Sequence, residues 1–426
     1  MDGASTPGAG GLKGADRSLP LAARVQGRRY ALPVAKKTAK KTTRKTARKG
    51  KGAVIDAPAM PEGAVRTPAP VALGSIIGQD RAVGVVHRAV ASGRLHHAWI
   101  FHGPAGVGKF TAALAFAAVI LDPTSTPNLS GEIEPDPDSE TQRLLRAGTH
   151  PDLHVIVKEL ARFADEKSVR DSKLTTIPKD VIDQHLIRPA KLAPRMRTDA
   201  RAKKVFIVDE AELMDRSPTN APVQNAILKT LEEPPEGTVI VLVTSSEDRL
   251  LPTIRSRCQR VAFTPLAGAE MERWLESAGL EFARDEREWL LAYAGGSPGR
   301  LERAHRDGQY AWHRAVEPML ARADAGEQPF DLGSTMSKLV DDWAKGWVDE
   351  GAKVGENRSK ESANRDGARQ MLALVAQHYR GQLSDGGRAR RAVAAIELLG
   401  RAERLIGSNV QVASVMDDLA AGLGGR

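Results

Sequence analysis

The 426-residue chain carries 62 Lys and Arg against 53 Asp and Glu, is 41% hydrophobic and only 4% aromatic, a composition suited to two or three aliphatic, helix-rich cores. No apolar run approaches the roughly 18 residues of a membrane helix, and the single cysteine, Cys258, excludes an internal disulfide and a cysteine-rich zinc site. The net charge of +9 is local: residues 1–72 hold fifteen Lys and Arg against four Asp and Glu, leaving the rest of the chain at −2. Because the first residues also lack a basic-then-apolar secretory pattern, a cytoplasmic protein without membrane contact is expected.

Residues 1–72 are rich in Gly, Ala, Pro and Thr around Lys36-Lys-Thr-Ala-Lys-Lys-Thr-Thr-Arg-Lys-Thr-Ala-Arg-Lys-Gly-Lys51. Such a stretch has too little apolar surface to order itself and reads as a disordered basic tail. A salt-sensitive tether to nucleic acid and a plain solvated extension would share this composition. Folded sequence is expected from Leu73. Residues 82–90 have the spacing of a short amphipathic helix, and Ala98-Trp-Ile-Phe101 that of a buried strand.

The strand runs into Gly103, Pro104, Ala105, Gly106, Val107, Gly108 and Lys109, followed by Phe110 and an apolar helical run over 111–121. Strand, glycine-rich turn with a terminal lysine, then helix is the context of a P-loop. Backbone N–H groups and the helix N-terminus form a phosphate cradle, and Lys109 is expected to reach the β/γ-phosphates. The pattern asks for Ser or Thr after the lysine to hold Mg²⁺, and Phe110 stands there. Thr111 is no substitute, because one step along a helix turns the side chain by about 100°.

After Leu121 the composition becomes acidic and proline-rich, and 122–148 reads as a loop without periodicity. A strand is expected at 153–157, a polar excursion at 158–177, and a helix over 181–187 ending near Pro189. Lys204-Val-Phe-Ile-Val208 and Thr238-Val-Ile-Val-Leu-Val-Thr244 read as strands buried on both faces, with a helix at 225–232 between them. The first ends in Asp209 and Glu210. Beside a P-loop, Asp209 would hold Mg²⁺ through water and Glu210 would polarise the attacking water; the same pair also ends solvated strands. Thr244 could hydrogen-bond a γ-phosphate, although Thr is a common strand former. Alternating strands and helices argue for a doubly wound α/β domain over 73–264.

Residues 251–258, Leu-Pro-Thr-Ile-Arg-Ser-Arg-Cys, place Arg255 and Arg257 on a loop before a strand at 260–263. Arginine on a rigid loop suits charge neutralisation at another subunit's nucleotide. Cys258 reads as structural rather than nucleophilic, and the histidines show no ligand spacing. Beyond Pro265, short helices at 270–278, 286–293 and 300–306 form a small helical domain over 265–310. Arg300, after a Gly-Ser-Pro-Gly turn, could swing onto nucleotide or remain a surface arginine. Residues 311–426 read as a helical bundle, with 348–368 a charged surface loop or frayed end, and Trp343 and Trp347 as packing residues.

Taken together, Ile77-Gly-Gln79, His97-Ala-Trp-Ile-Phe-His-Gly-Pro104, His150-Pro-Asp-Leu153, Val205-Phe-Ile-Val-Asp-Glu210, Asn225-Ala-Ile-Leu-Lys-Thr-Leu-Glu-Glu-Pro-Pro235, Leu251 to Cys258 and Gly296-Ser-Pro-Gly-Arg300 resemble the clamp-loader branch of the AAA+ ATPases. The likeness covers residue 73 onward, is weaker in the last helical third and leaves the tail unexplained. It implies an AAA+ domain, a lid, and a collar in a hetero-pentameric ring with γ/τ and δ subunits. That ring loads the sliding β clamp onto primed DNA, with Arg257 as an arginine finger for a neighbouring γ/τ site. ATP or ADP with Mg²⁺ is the implied cofactor. No zinc is expected, since 132–148 lacks the four cysteines many such subunits carry. Two alternatives stay open: an active γ/τ-type ATPase, and a nucleic-acid-binding protein driven by its tail.

Overall fold

A computed structural model describes residues 67–128, 131–170, 175–215, 219–353, 358–408 and 410–424. The basic tail, apart from its last six residues, lies outside the described residues.

Five strands form one sheet: β1 Ala98–His102, β2 Leu153–Ile156, β3 Lys204–Val208, β4 Thr238–Thr244 and β5 Gln259–Ala262. Their order is β2-β3-β4-β1-β5, and every neighbouring pair is parallel. β3 and β4 are buried along their whole length, which explains their unbroken Val/Ile/Leu runs. Helix α1 spans Asp80–Ala91, and α2 spans Lys109–Ile120 with every residue except Thr111 buried. A helix apolar on all sides belongs in the interior, and α2 packs there against β1, β3 and β4.

The described residues of 122–148 are more ordered than their composition suggests. A two-residue hairpin pairs Thr126–Pro127 with Ile133–Glu134, and helix α3 spans Glu140–Ala147. The organiser is Asp122, fully buried. Its carboxylate accepts from Thr124 N and Oγ1 (2.9 and 2.7 Å), Ser139 Oγ (2.6 Å) and Gln142 Nε2 (2.9 Å). Ser139 also caps α3 by accepting from Gln142 N, so Ser139-Glu-Thr-Gln142 is the legible start signal. The 158–177 excursion likewise has structure: Lys158–Phe163 is a 3-10 helix with Leu160 and Ala161 buried. The helix after it, α4 over 179–190, contains a π turn at Asp183–Ile187.

Helix α5, Pro222–Glu232, separates β3 from β4. Past β5 come α6 Gly268–Ala278, α7 Arg284–Ala294 and α8 Pro298–Arg306. Then follow α9 Gln309–Asp324, α10 Leu332–Lys353, α11 Lys360–Gln382, α12 Ala389–Gly407 and α13 Val412–Gly424. The described residues of the charged 348–368 stretch are therefore mainly helical. Their charges lie on exposed faces while Ala363, Gly367 and Ala368 turn inward, Gly367 against Trp343. One apolar core runs from Leu73 to Phe263, and a second from Leu266 to Leu423. No described helix is long and apolar enough to cross a membrane.

Hydrogen bonds from Ser139, Thr124 and Gln142 outweigh the desolvation of Asp122 and hold its carboxyl below the ordinary value of 3.8. A lowered folded pKa adds stability that is complete above the unfolded value and lost as pH falls through the folded one. Asp122→Asn should therefore cost about 1–3 kcal/mol at neutral pH. In thermal melts the gap to wild type should narrow only below about pH 4.

Candidate nucleotide site and arginine loop

Because the strands are parallel, their C-terminal ends share one sheet edge, where ligand sites of open α/β sheets form. β1 is flanked by β4 and β5, with His102 level with Thr244 and Ala262. The P-loop therefore leaves the sheet beside Thr244 and Phe263. Gly103 has φ 138°, and a Cβ there would lie 2.1 Å from Phe263 O, so no larger residue fits. Gly108, at φ 99°, caps α2. Lys109 Nζ donates to Gly103 O (2.7 Å) and Pro104 O (2.5 Å), which folds the lysine over the loop. Phe110 is 4% exposed and packs into the α/β core. The position that supplies a hydroxyl to Mg²⁺ in the P-loop pattern is thus committed to packing.

Asp209, at the end of β3, is buried, and its Oδ1 accepts from Glu210 N at 3.0 Å. Glu210 has φ 51°, the one positive φ outside glycine among the described residues, a costly conformation that clusters at functional sites. Its carboxylate pairs with Lys158 Nζ at 2.8 Å. Burial acts to lower the Lys158 pKa, but the charge and hydrogen bond of Glu210 prevail and hold it above 10.5. The buried Thr244 hydroxyl accepts from Ser246 N at 3.1 Å.

The second core reaches this edge through α8. Ser297 Oγ donates to Ala105 O and Gly299 N donates to Gly106 O, both at 2.9 Å. Gly106 has φ 80°, and a Cβ there would meet Ser297 Oγ at 2.5 Å. Arg300 stacks its guanidinium 4.3 Å above the Tyr293 ring, within its own helical unit. Gln79 completes the junction: Nε2 donates to Val107 O (3.2 Å) and Thr264 O (2.8 Å), while Oε1 accepts from Thr264 N (3.2 Å). Gln79, Lys158 and Ser297 were not singled out as site residues from sequence. Their partners lie 28 to 192 positions away.

The residues present fit a phosphate cradle: open glycine backbone, a poised lysine and a helix N-terminus. For Mg²⁺ they supply Asp209 but no hydroxyl at position 110. Among the described residues no group of three His, Cys, Asp or Glu side chains is placed to hold a metal by itself.

Arg257 lies elsewhere. Trp99 is level with Gln259, so residues 255–258 enter β5 at the N-terminal edge of the sheet. A five-residue strand, roughly 15 Å, separates that edge from the P-loop. Arg257 Nη2 pairs with Glu232 Oε1 at 2.7 Å, and Nη1 donates to Thr253 O at 2.9 Å. Burial pushes the neighbouring Cys258 thiol up to about 12.

Gln79→Ala removes the donor to the buried Val107 carbonyl and both bonds to the Thr264 backbone, and should cost about 1–3 kcal/mol in chemical denaturation. Cys258, mostly un-ionised at pH 8, should resist iodoacetamide in the native protein and react only on unfolding.

Residues 78–267 match the family described as DNA polymerase III, delta subunit. The chain is 36% identical over 213 residues to DNA polymerase III subunit delta′ of Pseudomonas aeruginosa, covering 50% of this chain and 56% of that one. It is 30% identical over 194 residues to subunit delta′ of Bacillus subtilis, covering 46% and 50%. It is also 30% identical over 187 residues to subunit gamma of Buchnera aphidicola, covering 43% and 42%. The chain thus spans about half the length of the curated relatives it matches. A parallel P-loop sheet, a glycine-lysine loop pinned by a helical unit, and matches concentrated in 78–267 agree: over that stretch the chain is similar to DNA polymerase III delta′ subunits.

Proposed function

We propose that this chain is the δ′-type stator of a bacterial clamp loader. In this reading it sits in a hetero-pentameric ring with γ/τ and δ subunits. The ring loads the sliding β clamp onto primed DNA, and this chain presents Arg257 to a neighbouring subunit's nucleotide. The supporting observation is the placement of Arg257 at the sheet edge opposite its own P-loop. A side chain on that edge serves phosphates bound to another subunit, where a fixed positive charge offsets charge developing during phosphoryl transfer.

The chain's own cradle acts as a clasp. Bound ATP or ADP would supply the anionic phosphates. Gly106, Gly108 and Lys109 would hold them, with Asp209 facing Mg²⁺, Thr244 beside the γ-phosphate and Arg300 reaching in after leaving Tyr293. Hydrolysis is weak because Phe110 withholds a metal ligand and Lys158 engages the Glu210 carboxylate. The functional units are a nucleotide-binding-like domain at 73–264, a lid at 265–310 and a collar at 311–426, in a cytoplasmic assembly. The second reading, an active γ/τ-type ATPase, draws on Lys109, Asp209 and Glu210 all being present, and on the similarity to a gamma subunit.

A ring reconstituted with γ/τ, δ, clamp and primed DNA separates the two. Arg257→Ala should leave assembly intact and lower stimulated ATP turnover by about an order of magnitude or more. Lys109→Ala should leave turnover within about twofold. Undiminished turnover in Arg257→Ala rules out the finger, and collapse in Lys109→Ala favours the ATPase.

A further inference from the structure

We infer that Glu232 is a positioning residue for the arginine finger, an assignment that rests on the reading of Arg257 given above. Glu232 ends α5 and is followed by Glu233. Two carboxylates beside the negative end of a helix dipole are locally unfavourable, so their placement calls for compensation from outside the helix. Arg257 supplies it, with Nη2 2.7 Å from Glu232 Oε1. The other terminal nitrogen, Nη1, donates to Thr253 O at 2.9 Å and lies 3.5 Å from Ser256 Oγ. The flat guanidinium is therefore held on two sides, between the end of α5 and the turn at Pro252–Arg255.

Helix α5 is itself anchored to the same segment at its other end. Asp215 accepts from Val223 N (3.3 Å) and Gln224 N (2.9 Å). The fully buried Gln224 then accepts from Leu251 N (2.8 Å) and donates to Arg249 O (3.2 Å). Gln224 and Glu232 thus clamp residues 249–257 to α5 at two points. The Arg257 and Glu232 side chains are 37% and 46% exposed, so the pair adds little to folding stability. What it changes is the number of conformers open to a long, rotamer-rich side chain before it meets a phosphate. Holding the fork in one orientation beforehand removes that ordering cost from the reaction.

The test uses the full-length chain in the reconstituted ring with γ/τ, δ, clamp and primed DNA. Glu232→Ala should lower stimulated ATP turnover about threefold to tenfold with assembly unchanged. Glu232→Gln, which keeps the acceptor oxygen, should recover part of that loss. In the Arg257→Ala background, adding Glu232→Ala should change nothing further. Wild-type or faster turnover in Glu232→Ala overturns the assignment, as does an equal loss on the Arg257→Ala background, which marks a purely structural role. If Arg257→Ala itself has no effect, the finger reading fails. If it lowers turnover while Glu232→Ala does not, only the positioning role fails.

Discussion

Parallel pairing of five strands is the constraint on which the rest of this structure depends. Once β1, β3 and β4 run the same way, the loops that follow them crowd onto one edge, and the segments that precede them lie on the other. The P-loop, Asp209 and Glu210 follow strands, and Thr244 ends one. Arg257 precedes β5, and Glu232 precedes β4. A single sheet therefore carries two chemically distinct edges, one with the glycine-lysine loop and the acids, the other with the Arg257–Glu232 pair.

The P-loop edge is held closed from several directions. Phe263 backbone presses on Gly103, Gln79 joins Val107 to the linker residue Thr264, and α8 bonds to Ala105 and Gly106. These contacts couple the P-loop to the second apolar core without any charged pair. Small rotations of that helical unit must move the loop, because close-packed elements shift together. At the same edge Phe110 is committed to the apolar core and Glu210 is paired with Lys158.

Much of the fold was legible in the residues. Continuous apolar runs announced β3 and β4, and helical spacing announced α1. Legibility failed where order rests on polar rather than apolar groups. Helix α3 buries Thr141 and Gln142 beside Leu145, so it shows no apolar stripe, and its organiser Asp122 lies seventeen positions before its cap. In the 348–368 stretch the end of α10 was legible, while abundant charge on the outer face hid the small-residue inner face of Ala363, Gly367 and Ala368 in α11.

The sequence by itself determined the chemistry available: glycines and Lys109 for phosphate, a phenylalanine where a metal ligand belongs, acids after a buried strand, and arginines on a short loop. Each of these is a local property, set by residue type and spacing within a few positions. Only the tertiary structure decided what those groups touch. It paired Glu210 with Lys158, stacked Arg300 on Tyr293, set Ser297 on the P-loop, and placed Arg257 against Glu232 on the far edge. Those outcomes depend on strand order and direction, which join residues tens to hundreds of positions apart and leave no periodic trace in the chain.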